Sequence, residues 1–114
     1  MGKPFLLFHW SPMSRRKQIL KYGLCPGKLS KCGLWRPPYV CFSKTPSLAW
    51  VLSAKFHNEP IMWDLWMIWS NSVRGYETLA MGNGRETTEY RVYHRIFKSD
   101  VWYVGSREYK TRGE

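Results

Sequence analysis

Ile61-Met62-Trp63-Asp64-Leu65-Trp66-Met67-Ile68-Trp69 decides the fold of this chain. The run is apolar almost throughout. Its tryptophans recur at helical spacing, whereas its composition is that of a buried strand. Length arbitrates between the two. Nine residues closed by Pro60 in front and Ser70-Asn71 behind make a strand and a short helix at best. A central strand at this point predicts a sheet that the rest of the chain must complete.

Downstream, residues 70–75 read as a turn and residues 76–81 as a short strand. Gly82-Asn83-Gly84 is a strong turn signal. Residues 89–96 read as a strand with partial alternation and residues 101–104 as another. The tail from Lys110 is polar and expected to be mobile.

Upstream, Thr45 is a natural helix N-cap and Pro46 suits the first helical position, where its missing N–H is harmless. Leu48, Ala49, Val51 and Leu52 supply the apolar positions, and the helix is expected to fray over residues 57–60. Residues 39–43 form a strand by composition and by the turn signals around them. Residues 25–38 hold Pro26, Gly27, Gly33, Pro37 and Pro38 and read as a loop. Residues 3–8 read as a strand leading to His9. A first helix then follows, with Ser11 as N-cap, Pro12 at its first position and Gly23 as its stop. Five or six strands and two helices, both in the first half, predict an α+β fold: a compact split β-sheet with helices packed on it. At 114 residues the chain is expected to be a single domain, residues 1–114.

Eighteen Lys and Arg against eight Asp and Glu give a net charge of +10, which favours anionic partners such as nucleic acid, an acidic protein surface or a phosphate-bearing small molecule. Seven Trp and seven Tyr can fill a core or stack on bases and nicotinamide rings. Residues 5–8 are too short for a signal peptide, and no stretch reaches the roughly 20 apolar residues of a membrane span. No membrane association is expected, and a cytoplasmic location is. Cys25, Cys32 and Cys41 form an odd, irregularly spaced set with no CxxC pair, which argues against a disulfide framework and against a metal site.

Three stretches place polar side chains in or beside strand-like runs: Phe8-His9-Trp10-Ser11, Pro38-Tyr39-Val40-Cys41-Phe42-Ser43 and Thr88-Glu89-Tyr90-Arg91-Val92-Tyr93. A His, a hydroxyl or thiol, and a Glu carried on three strands can converge on one cleft. Among eight acids Glu89 is the one read as heading an apolar strand. An ordinary strand-edge Glu and a satisfied core His are the structural alternatives.

In this order the stretches resemble the ADP-ribosyltransferases of the poly(ADP-ribose) polymerase and diphtheria-toxin type. Leu6-Leu7-Phe8-His9-Trp10-Ser11, a helix and Tyr22-Gly23-Leu24 resemble the opening motif. Tyr39-Val40-Cys41-Phe42-Ser43 with Pro46 and Ala49 resembles the second, and Thr88-Glu89-Tyr90-Arg91-Val92-Tyr93 the third. The resemblance spans roughly residues 5–105 as an ordered skeleton.

It implies that NAD is bound and its nicotinamide–ribose bond cleaved, with Glu89, His9 and Tyr39 as the catalytic set. Glu89 would stabilise the oxocarbenium-like centre. His9 would hold a ribose hydroxyl, and Trp10, Ser11, Tyr39, Cys41 and Ser43 would line the NAD site. Ser11 serves better as a helix cap than as a ligand contact.

Two positions depart from the family pattern. Cys41 stands where a Tyr usually stacks on nicotinamide, although Tyr39 and Ser43 share its strand face, and Trp10 replaces a usual Gly. RNA 2′-phosphotransferases use related NAD chemistry with additional Arg and His contacts, for which only His94-Arg95 offers a match. The acceptor side is read from Arg15, Arg16, Lys17, Lys28, Lys31 and Arg36, with Trp35 available to stack on a base; nucleic acid and an acidic host protein are the candidates. The same basic run can be a solvated face, and Trp35 a core plug. Small size and basic charge suit a phage-encoded or toxin-like effector, monomeric by default. A non-catalytic basic binding module is the competing reading.

Overall fold

The computed structural model describes residues 2–27, 38–54, 61–82 and 85–109. Lys28, Lys31, Trp35 and Arg36 lie outside the described residues, as do Asn83-Gly84, residues 55–60 and the tail from Lys110. The elements are β1 (Leu6–Pro12), α1 (Arg16–Tyr22), β2 (Val40–Phe42), α2 (Pro46–Ala54), β3 (Ile61–Trp69), β4 (Gly75–Gly82), β5 (Arg85–Val92) and β6 (Trp102–Tyr109). Single 3₁₀ turns cover Met13–Arg15, Ser70–Ser72 and Lys98–Asp100.

The strands form two antiparallel three-stranded sheets, ordered β1-β3-β6 and β2-β5-β4. Among the described residues the sheets meet at a bridge where Phe8 and Ser43 exchange backbone hydrogen bonds of 2.8 and 2.9 Å. A second bridge joins Leu24 to Ile96. The architecture is therefore α+β with a sheet split between β1 and β2, and both described α-helices lie in the first half of the chain.

β3 has the bounds read from sequence. It is buried because it is the middle strand of its sheet, paired along its length with β1 and β6. The alternation of β1 serves two cores. Leu7 joins Trp66, Ile68, Val40, Phe42, Val92, Ile96, Leu24 and Ile19 of α1 in the larger cluster, which draws on both sheets. Trp10 points the other way and meets Trp63, Leu65 and Ala49 of α2, with Phe8 and Trp50 packed alongside. Fully burying a side chain such as Leu7 contributes about 2 kcal/mol.

Thr45 caps α2: its Oγ1 accepts the Leu48 N–H at 3.2 Å, and its carbonyl accepts the Ala49 N–H at 3.1 Å. The start of the first helix is different. Ser11 does not cap it. β1 runs on to Pro12 because Ser11 and Pro12 stay paired with Asp64 and Trp63 of β3, and a 3₁₀ turn delays α1 to Arg16. Gly23 ends α1 as read. It has φ +85°, its N–H donates to the Ile19 carbonyl at 2.8 Å, and a Cβ there would collide with the Ile96 carbonyl. β5 and β6 also differ from the sequence reading. β5 begins at Arg85 because it zips against β4 from Gly82↔Arg85 to Gly75↔Val92, and β6 runs to Tyr109 against β3. Glu89 therefore sits inside β5 and does not head it.

Candidate functional site

The pairing of β2, β5 and β4 sets side chains in rows on one face. Val40, Phe42, Tyr90 and Val92 turn to the larger core or pack against it. The alternate residues, Cys41, Glu89, Arg91 and Thr78, take the opposite face. Cys41 lies opposite Arg91, which lies opposite Tyr76, and Glu89 lies opposite Thr78.

Glu89 is only 6% exposed. Its Oε2 accepts the Cys41 thiol at 3.0 Å and its Oε1 accepts the Arg91 Nε–H at 2.6 Å. On the other side of Cys41, His9 Nδ1 lies 2.7 Å from the Cys41 carbonyl oxygen. A carbonyl can only accept, so Nδ1 carries the proton. The His9 ring also packs on Phe42, centroids 5.6 Å apart. Cys41 thus makes two separate contacts at the split between the sheets: its backbone carbonyl takes His9, whose ring lies with Phe42 on the core face, and its thiol takes Glu89, paired with Arg91, on the opposite face.

Arg91 stacks over the Tyr39 ring at 4.3 Å. Tyr39 in turn contacts Tyr93 at 5.4 Å, and Tyr93 stacks on Tyr76 at 5.8 Å with ring planes 15° apart. Burial, and then the Glu89 carboxylate, push the Tyr39 phenol above its ordinary pKa, so Tyr39 is neutral at physiological pH. The hydrogen bond to Tyr93, and then burial, raise Tyr76 in the same way. Burial works against the charge on Arg91, but the hydrogen bonds to Glu89 and Tyr93 outweigh it and the guanidinium is held more firmly protonated.

The sequence candidates divide into three groups. His9, Tyr39, Cys41, Glu89 and the backbone of Ser43 are brought together. The Ser43 hydroxyl is buried, and no hydrogen-bond partner for it exists among the described residues. Trp10 and Ser11 are committed to the interior. The Trp10 indole N–H donates to the Pro46 carbonyl at 2.9 Å at the start of α2, and Ser11 Oγ accepts the Trp66 indole N–H at 3.0 Å. Lys17 is exposed and Arg15 half-buried.

Arg16 is bound to an acid that sequence reading passed over. Asp64, fully buried in the middle of β3, accepts Arg16 Nε at 2.8 Å, Arg16 Nη2 at 2.7 Å and Ser106 Oγ at 2.7 Å. Those hydrogen bonds hold the Asp64 carboxyl below the usual carboxylate range and raise Arg16 further still. A lone carboxylate inside a nine-residue apolar strand was the signal, since a buried charge requires a partner.

A shallow depression of about 260 Å³, lined by Pro12, Met13, Ser14 and Met62, sits at the far end of β1 and includes none of these residues. Among the described residues, no three His, Cys, Asp or Glu side chains gather as a metal site, and no helix is long and apolar enough to cross a membrane. No family model, curated protein or solved structure matches the chain.

Proposed function

We propose that this domain is an NAD-dependent ADP-ribosyltransferase, cleaving the nicotinamide–ribose bond and transferring ADP-ribose to a nucleic acid or protein acceptor. One observation carries the reading: Glu89 is a nearly buried carboxylate that takes the Cys41 thiol from a neighbouring strand, and His9 on a third strand bonds the Cys41 backbone carbonyl. The residues present fit a cationic sugar centre. Glu89 is a nearly buried carboxylate, and a carboxylate shielded from water stabilises developing positive charge far better than one in bulk solvent. As the C1′–N bond breaks, its electron pair leaves with nicotinamide, which departs neutral. An acceptor O–H or N–H forms the new bond to C1′ and gives its proton to solvent. His9 supports a ribose hydroxyl, and Tyr39 offers a neutral ring for the nicotinamide. Arg91 has donors beyond the Nε spent on Glu89, and these suit the pyrophosphate.

A non-catalytic binding module is the second reading. It is favoured by the engagement of both Glu89 oxygens, one by Cys41 and one by Arg91. Nicotinamide release from NAD separates the two. Wild-type protein is expected to release nicotinamide, with RNA, DNA or lysate protein accelerating it, and Glu89→Gln is expected to lose about 100-fold or more. A folded wild-type protein that releases none under any condition overturns the enzymatic reading.

A further inference from the structure

The outer face of the β2-β5-β4 sheet carries a feature that NAD cleavage does not require. Tyr93 and Tyr76 stack on each other at the end of the sheet, yet they remain 47% and 53% exposed. Cross-strand aromatic pairs stabilise sheets, but a pair serving only that end gains by being covered. These rings stand on the side opposite Val92 and the core, with Tyr93 touched by both Tyr76 and Tyr39 and with about half of the Tyr76 residue open to solvent.

Two cations stand beside them, Arg91, which is paired with Glu89, and Arg74. Arg91 lies opposite Tyr76, two residues before Tyr93, which directly follows β5. Exposed Arg74, whose backbone N–H donates to His94 Nε2 at 2.9 Å, stands at the same end. Among the described residues of β4 and β5, the acid on this face is Glu89, which is paired with Arg91. The other acid of β4 with a described side chain, Glu77, takes the opposite face and pairs with Lys44.

We propose that Tyr76 and Tyr93 form a stacking platform for single-stranded nucleic acid, with Arg74 meeting its phosphates, and that this strand is the acceptor. The second part rests on the transferase reading; the binding itself does not. Half-exposed aromatic rings beside Arg74, on a protein of charge +10, complement unpaired bases on a phosphate backbone. In a duplex the base faces are occupied by stacking, so paired nucleic acid meets only the charge. Tyr93 directly follows β5, four residues from Glu89, about 13 Å at strand rise. A strand stacked on the tyrosines therefore reaches Glu89 with its next two or three nucleotides.

The test is fluorescence anisotropy with a labelled mixed-sequence RNA oligonucleotide, the matching DNA oligonucleotide and a duplex of the same sequence, at two salt concentrations. Tyr93→Ala and Tyr76→Ala are each expected to weaken single-strand binding about 10-fold. Tyr93→Phe keeps the ring and is expected to bind as wild type. Thermal melting of each variant verifies folding, and Tyr93→Phe keeps the comparison valid if the alanine variants melt early. Nicotinamide release from NAD without added acceptor is expected to be unchanged in Tyr76→Ala. Unchanged single-strand binding in both alanine variants, or duplex bound as tightly as single strand, overturns the platform. So does a wild-type dimer that Tyr93→Ala dissociates, because the rings would then be an interface. Loss of the platform leaves nicotinamide release standing, and absence of release leaves strand binding standing, so the two failures are told apart.

Discussion

Asp64→Asn tests whether the buried pair beneath β1 and β6 is a keystone of the first sheet. Asp64 is fully buried and accepts three hydrogen bonds, two from Arg16 and one from Ser106. Asparagine has nearly the same shape but only one oxygen. Placed to keep the two bonds at Oδ1, it points its amide N–H groups at the Arg16 Nε–H, donor against donor. Removing one partner of a buried pair costs about 3–5 kcal/mol. The Arg16 side chain is 36% exposed and can rehydrate, which lowers the expected loss to about 2–3 kcal/mol. At this chain length about 1 kcal/mol corresponds to about 4 °C, so the melting temperature should fall by about 10 °C at neutral pH.

The pH dependence gives a second readout with a fixed sign. Asp64 titrates below the usual carboxylate range in the folded protein. Its charge therefore contributes stability that is present above about pH 4 and is lost as pH falls through the lowered folded value. Asparagine has no charge to lose. The gap between wild type and Asp64→Asn should be widest near neutrality and should narrow toward about pH 2. Thermal melts monitored by circular dichroism across that range measure it. A melting temperature within about 2 °C of wild type, or a gap that does not change with pH, refutes the assignment of a stabilising buried charge.

Other perturbations have distinct expected outcomes. Thr45→Ala removes the hydroxyl that accepts the Leu48 N–H and should cost about 1 kcal/mol in chemical denaturation. Gly23→Ala meets both a left-handed φ and the Ile96 carbonyl, and should cost more than about 3 kcal/mol, seen as loss of soluble folded protein. Leu7→Ala empties a fully buried site and should cost about 3 kcal/mol. In phenolate absorbance titration, Tyr39 should ionise later than a free tyrosine. Glu89→Gln should move it part of the way back, because burial is the larger cause and remains.

What the sequence disclosed follows the range of the forces involved. β3 and the N-cap of α2 were legible because their signals are local: a proline and polar stop around an apolar run, and a hydroxyl ahead of a proline. The strands that carry His9, Cys41 and Glu89 were legible in order, since composition alone marks each of them. The extension of β1 through Ser11 and Pro12 was not. Ser11-Pro12 is a good helix start in isolation, and only the pairing with Asp64 and Trp63, more than fifty residues away, holds it extended. Arg16 read as a phosphate contact for the same reason, because its partner Asp64 is distant in sequence. The strand order β1-β3-β6 joins elements whose adjacency no local pattern specifies.

The outer face of the second sheet depends on register more than on any one contact. Glu89, Arg91 and Tyr93 share that face only because Tyr90 and Val92 occupy the other. A slip of one residue in β5 would turn the carboxylate and guanidinium into the core and bring Tyr90 out. Two features hold the register. Gly82 pairs with Arg85, and the sequence between them, Asn83-Gly84, is a strong turn signal. At the other end Gly75 lies so close to β5 that a Cβ would strike the Tyr90 ring and the Arg91 carbonyl. Glycine at that position lets β4 approach the two residues that flank the change of face. The Glu89–Arg91 pair and the aromatic pair are therefore positioned by backbone features that touch no ligand. Substitutions at Gly75 belong with the site as much as substitutions at Glu89 do.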